Sequence, residues 1–398
     1  MLSWEFPPRV IGGIAPHVHE LSQALSELNV DVFIVTCDFP GAKEYERING
    51  VEVYRIDSYK FPSPDFATWA SMMNVNLEAK AAEILRKERK RIHLLHAHDW
   101  LVANASVSLK HLLRIPLVAT IHSTEYGRRN GLQTDYQRMI HSFEGWLTHE
   151  GWRVICCSNY MASHINYVLG TPLANVIVIP NGIDKSKFER ELDLSTLRGR
   201  FATSDEKLVL FVGRLVYEKG AHLLVESIPT VLREMNCKFV IVGEGYMKEQ
   251  LVARVKELGL GSKAFVTGFL DEQTVLGLFR VSDVVVIPSL YEPFGIVALE
   301  AMAAGAPIIT TALGGLAEII DHEKTGVKVD PNPESIAWGI VKLLNDRPNA
   351  QQLAKEAYRK VVSDFGWQTI AQRTREVYTK VLREFLDGKW KPIEQPNV

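Results

Sequence analysis

The chain has 398 residues, 46% of them hydrophobic and 23% charged, with a formal net charge of −2. That length exceeds one ordinary core and suits two domains, and the near-neutral balance gives no reason to expect nucleic-acid binding, a local basic patch aside. No apolar run approaches the roughly 20 residues of a membrane span, no signal peptide opens the chain, and Cys37, Cys156, Cys157 and Cys237 lack metal-ligand spacing, so a cytoplasmic, reducing compartment is expected.

The opening "MLSWEFPP" reads as the end of a strand with few residues before the turn. Strands usually run about 5–6 residues, so its length alone raises the expectation of a missing strand edge. Gly12 and Gly13 then stand between this strand and an amphipathic stretch with Val18, Leu21, Leu25 and Leu28 at spacings of three and four. Further strands are predicted at 31–36, 51–56, 92–97, 116–122, 153–158 and 176–180. Residues 59–75, with Phe61, Phe66, Trp69, Met72 and Met73, read as an aromatic-rich loop. The basic run "LRKERKR" (85–91) reads as a solvated helix end, or as a peripheral contact with an anionic lipid or polymer.

The second half repeats the theme with strands at 207–213, 238–243, 264–268, 284–288 and 307–311. Continuous β-branched runs separated by helical patterns indicate parallel sheets covered on both faces. Two such series predict two doubly wound domains, 1–182 and 183–366, with the boundary in "IPNGIDKSKFER" at the Asn181-Gly182 turn. One long helix follows "DFGWQT" to about residue 386, and 367–398 form this helix and a tail.

Ligands of open α/β sheets sit beyond the carboxyl ends of the strands. In "YEPFGIVALE", Glu292 and Glu300 flank Pro293 and Gly295 just after a fully apolar strand. A helix starting at Gly295 offers free N–H groups and a favourable dipole to an anion. The pattern therefore reads as one acid for a sugar, a helix start for a phosphate and one acid for a ribose diol; the ordinary alternative is two solvated glutamates. Arg214 and Lys219 follow another strand in "FVGRLVYEKG", where two cations suit a diphosphate. Gly243 belongs to a third glycine turn, "VGEG". No Asp-x-Asp pair, the usual sequence sign of a metal holding a sugar nucleotide, occurs in the chain. In the first half, His98 and Asp99 end one strand while His122 and Glu125 follow another. They read either as a polar wall or as structural residues, and no Ser-His-Asp or zinc-ligand spacing appears.

Taken together, "EPFGIVALEAMAAGAPIITTALGGLAEII", "GRLVYEKG", "IPNGID" and the first glycine loop resemble the retaining glycosyltransferases of the two-domain GT-B fold, family four. "SWEFPPRVIGG" and "HAHDW" are similar to stretches of bacterial glycogen and starch synthases. The resemblance spans nearly the whole chain. It implies two Rossmann-like α/β domains facing a deep cleft, with the final helix crossing back to the first domain.

It also implies that Glu292 contacts the donor sugar, Glu300 the ribose, and Arg214 and Lys219 the diphosphate. The backbone of Phe294, Gly295 and Ile296 joins them, with Gly12, Gly13 and Gly243 on the donor side. His122 stands by the reacting sugar, and His98, Asp99 and Glu125 on the acceptor or sugar side. No metal and no cofactor beyond the nucleotide sugar, ADP-glucose or UDP-glucose, is implied. One departure is Arg9, which stands one residue further from the glycines than the lysine usual in glycogen synthases.

The leading expectation is a hexosyltransferase moving glucose to an α-glucan. Another sugar (mannose, N-acetylglucosamine) or a lipid or small-molecule acceptor is the alternative within the class. A sugar-nucleotide epimerase and a catalytically silent nucleotide-sugar binder are the alternatives outside it.

Overall fold

The computed structural model describes residues 1–58, 63–88, 92–189 and 191–388, of which 87 and 88 by backbone alone. Phe61, the end of the basic run and the tail from 389 lie outside the described residues. The chain divides into two compact units, Met1–Gly182 with the segment from Trp367 onward, and Ile183–Gly366.

In the first unit the strands are β1 (Phe33–Cys37), β2 (Tyr45–Ile48), β3 (Val51–Ile56), β4 (Leu95–His98), β5 (Leu117–Ile121), β6 (Arg153–Cys156) and β7 (Val176–Val178). They run in the orders β1-β3-β2 and β4-β5-β6-β7. Leu2 joins the two series through parallel bridges to Val35 and Ala97. Its N–H donates to the His96 carbonyl at 2.8 Å, and its carbonyl accepts from His98 N at 3.1 Å. The opening residues therefore complete one sheet, parallel except for β2.

The Ile14–Glu27 helix buries Val18, Leu21 and Leu25 in a core shared with Ile370, Val377 and Val381 of the Trp367–Leu386 helix. That last helix is pinned to the sheet by polar contacts as well. Tyr378 Oη and His96 Nδ1 are 2.6 Å apart, and Glu384 accepts from Arg153 Nη2 at 2.7 Å and Trp152 Nε1 at 2.6 Å.

Two expectations need correction here. The segment read as an aromatic-rich loop is helical from Phe66 to Glu88. Ala70, Met73, Leu77 and Ile84 recur at helical spacing on its buried face, while the Trp69 indole donates to the Ser58 carbonyl at 2.7 Å. Strand β2 was not anticipated: "YERI" lies at a sheet edge, alternates between exposed and half-buried residues, and has no apolar run to reveal it.

The second unit holds β8 (Lys207–Val212), β9 (Cys237–Val242), β10 (Ala264–Gly268), β11 (Val284–Ile287), β12 (Ile308–Thr311) and β13 (Val327–Val329). All pair in parallel in the order β10-β9-β8-β11-β12-β13. Strand β13, three residues long, was likewise not anticipated. Every side chain of β11 is buried, and full burial of a Val or Ile contributes about 1.5–3 kcal/mol, which outweighs any intrinsic strand preference. The order reverses between β8 and β11: connections leave these neighbours in opposite directions, which opens a crevice at their carboxyl ends. The two Rossmann-like α/β sheets expected from the sequence are both present. Among the described residues no helix is long and apolar enough to cross a membrane.

Candidate functional site

At the switch point of the second unit, the loop after β8 carries Arg214 and Lys219 and the loop after β11 carries Glu292. Lys219 Nζ lies 2.6 Å from Glu292 Oε2, and the Ser289 hydroxyl donates to the same oxygen at 3.2 Å. Arg214 is more exposed and meets Glu218 at 3.4 Å. Backbone contacts brace these loops: Leu290 N donates to the Glu218 carbonyl at 2.8 Å, and Leu215 N to the Glu244 carbonyl at 2.8 Å.

Glycines make the close approaches possible. Gly243 has φ 143°, and a Cβ there would stand 1.8 Å from the Gly213 carbonyl oxygen. Gly314 has φ 56° and would place a Cβ 2.1 Å from the Glu292 carbonyl oxygen, the same oxygen that accepts from Gly315 N at 2.8 Å. The backbone of Glu292 is thus held from the β12 side.

Gly295 caps the Ile296–Ala303 helix without any side-chain hydrogen bond, so the first-turn N–H groups beside Phe294 and Ile296 have no side-chain cap. Glu300, half-buried in this helix, is raised to about 7 by burial; Lys187 opposes the shift and Glu272 adds to it. A carboxyl so poised gains most from a ligand that donates hydrogen bonds to its charged form.

In the first unit, His98, Asp99, His122 and Glu125 lie at the carboxyl ends of β4 and β5. Asp99 has φ 61°, a strained position for a non-glycine residue. Its Oδ1 accepts from His122 N at 2.7 Å, which ties the two strand ends together. Burial raises Asp99 to about 6 and lowers His122 to about 4. Glu125 is committed to Arg128 (3.1 Å), and its backbone N–H donates to Glu144 Oε1 at 2.8 Å. Glu144 is buried and raised by burial to about 8, Arg128 pulling the other way.

Gly12 and Gly13 precede the Ile14–Glu27 helix, but two N–H groups of their loop are already taken. Ile11 N and Gly12 N donate to Glu5 Oε2 at 2.6 and 3.0 Å. Gly13 occupies the N-cap position, with no side-chain cap.

Glu5, His17, Ser289 and Glu218 had escaped the sequence reading. Glu5 stands inside the quoted "SWEFPPRVIGG", yet spacing alone does not show that it folds back on the glycines. His17 meets His98 and His122, and these three imidazoles are the group among the described residues able to converge on a metal ion.

The glycosyltransferase family 4 model matches residues 11–187, and the glycosyl transferases group 1 model matches residues 196–360. An uncharacterized glycosyltransferase of Methanocaldococcus jannaschii is 41% identical, covering 97% of this chain and 98% of its own length. A glycogen synthase of Mycobacterium tuberculosis is 35% identical, covering 96% of this chain and 94% of that one. Among solved structures, the sucrose-phosphate synthase of Thermosynechococcus elongatus superimposes with a TM-score of 0.81 at 24% identity, covering 94% of each chain, a likeness of fold. The chain belongs to the family 4, group 1 glycosyltransferases of the GT-B fold.

Proposed function

We propose that this chain is a retaining hexosyltransferase that moves glucose from ADP-glucose or UDP-glucose to a hydroxyl of an α-glucan. The observation that carries the reading is the Lys219–Glu292 pair, 2.6 Å apart, at the sheet's switch point. A lone cation there suits a diphosphate and a lone acid suits sugar hydroxyls; together they suit a molecule that carries both. The full-length likeness to a glycogen synthase favours a glucan acceptor.

In this reading Glu292 holds donor hydroxyls and Glu300 the ribose. Lys219, Arg214 and the N–H groups from Phe294 to Ile296 take the charge that develops on the diphosphate. The acceptor oxygen bonds to the anomeric carbon on the face from which the diphosphate departs, and the acceptor proton passes to the departing phosphate oxygen. The stereochemistry is retained and no metal takes part. His122, with Asp99 behind its backbone, serves a sugar hydroxyl; His98 and Glu125 shape the acceptor side. Four buried cysteines fit a cytoplasmic setting.

The test is nucleoside diphosphate release from ADP-glucose, UDP-glucose and GDP-mannose, with and without glycogen, with and without a chelator. Release from a glucose donor only when glycogen is present supports the proposal and names the base. Slow, acceptor-independent release keeps the donor chemistry and removes the glucan. No release from any of the three overturns the reading.

A further inference from the structure

The Ile14–Glu27 helix, the end of β4 and the residue after β5 each deliver one imidazole to the same place: His17, His98 and His122. Ring centroids are 4.7 Å apart for His17–His122 and 5.5 Å for both His17–His98 and His98–His122. Three imidazoles bound at about 2.0–2.1 Å to one tetrahedral ion have centroids roughly 5 Å apart and donor nitrogens roughly 3.3 Å apart. His98 Nδ1 and His122 Nε2 are hydrogen-bonded at 3.2 Å, a separation that two ligands of one ion also show, and one ring nitrogen from each of the three lies within 4.8 Å of the others.

A second observation is independent of spacing. Nε2 of His98 is buried without a hydrogen-bond partner, and neither ring nitrogen of His17 has a partner in good hydrogen-bond geometry, the Asn181 side chain being the group within its reach. A buried polar atom left unmade costs about 1–3 kcal/mol, so such atoms point to a missing ligand. Trp367 stands edge-on to His17 at 5.5 Å and limits its ring.

We propose that His17, His98 and His122 form a binding site for one divalent transition metal ion of the zinc class, with the fourth position open to water. An all-imidazole donor set favours zinc, copper or nickel over magnesium or calcium. The ion is inhibitory: it ties up the imidazole of His122, a consequence that rests on the role given to His122 above. The binding itself does not rest on that role.

The test titrates the chelator-stripped full chain with Co²⁺, followed by visible absorption and calorimetry, in the absence of donor and acceptor. One equivalent with a four-coordinate cobalt spectrum, displaced by Zn²⁺, is expected. His17→Ala and His98→Gln should each weaken binding by at least the roughly 100-fold that losing even an outer partner can cost, with circular dichroism verifying the fold. No bound cobalt in the wild type, or binding that survives both substitutions, overturns the site. Should His17→Ala fail to fold, the wild-type spectrum and His98→Gln still decide. Where transfer activity is measurable, Zn²⁺ should suppress it and a chelator restore it; because binding is read without substrates, a failed transferase assay leaves the cobalt result intact.

Discussion

Replacing Lys219 by alanine separates its two roles. Its ammonium lies 2.6 Å from Glu292 Oε2, with 20% of the lysine side chain and 12% of the glutamate side chain exposed. A hydrogen bond to a charged group contributes roughly 1.5–3 kcal/mol, and solvent screening draws a partly exposed pair toward the lower end. Lys219→Ala leaves Glu292 the Ser289 hydroxyl at 3.2 Å, so the second unit should lose about 1–2 kcal/mol in urea melts. The kinetic loss should be larger. A cation facing the departing diphosphate compares with one oxyanion-hole donor, worth about 10²–10³ in kcat, or about 3–4 kcal/mol. Lys219→Arg should recover part of kcat, because the positive charge is kept. The assay is diphosphate release at saturating donor alongside the melts. If Lys219→Ala loses the stability but keeps kcat within about threefold, a change of well under 1 kcal/mol, the lysine merely braces Glu292 and the proposed role is wrong.

The remaining predictions concern three other acids. Glu300→Ala should weaken nucleoside diphosphate binding by about 10–100-fold in calorimetry, with a smaller change in kcat; because Glu300 is raised to about 7, wild-type affinity should climb as pH passes upward through that value, and an affinity flat with pH would count against the ribose contact. Glu144, raised from 4.5 to about 8 by burial, binds its proton more tightly folded than unfolded, so stability should fall as pH rises between those values and level off above them. Glu144→Gln should abolish that slope and gain a few kcal/mol in urea melts at alkaline pH; an unchanged slope would show that the group is not buried as a carboxyl. Glu5→Ala, which leaves Ile11 N and Gly12 N without their acceptor, should cost about 1–3 kcal/mol in urea melts, with Glu5→Gln in between; an unchanged midpoint would reduce Glu5 to a packing residue.

Strands were legible wherever burial on both faces demanded an unbroken apolar run. "VVVIP" and "KLVLFVG" needed no partner to be recognised, since parallel strands covered on both faces carry that signature. The strands that escaped, β2 and β13, are short edge strands, and at an edge the demand for apolar residues is weakest. The helix beginning at Phe66 is masked in the sequence by the aromatics and methionines of 59–75, although Ala70, Met73, Leu77 and Ile84 do recur at helical spacing.

For the site, local pattern was enough to mark single residues: Glu292, Glu300, Arg214 and Lys219 each follow a strand, and a strand's carboxyl end is where an open sheet leaves space. Which of them meet was decided only by strand order. Placing β8 beside β11 brings Lys219 to Glu292 across 73 positions, a pairing that no spacing rule contains. The same holds for Glu5 folded back on the glycine loop and for His17, His98 and His122. Backbone periodicity and burial are local demands that a sequence must satisfy residue by residue, so the chain alone determined its two Rossmann-like units and its candidate residues. Charge pairing, the loss of water around a carboxyl and the convergence of imidazoles depend on distances through space, and those only the tertiary structure decided.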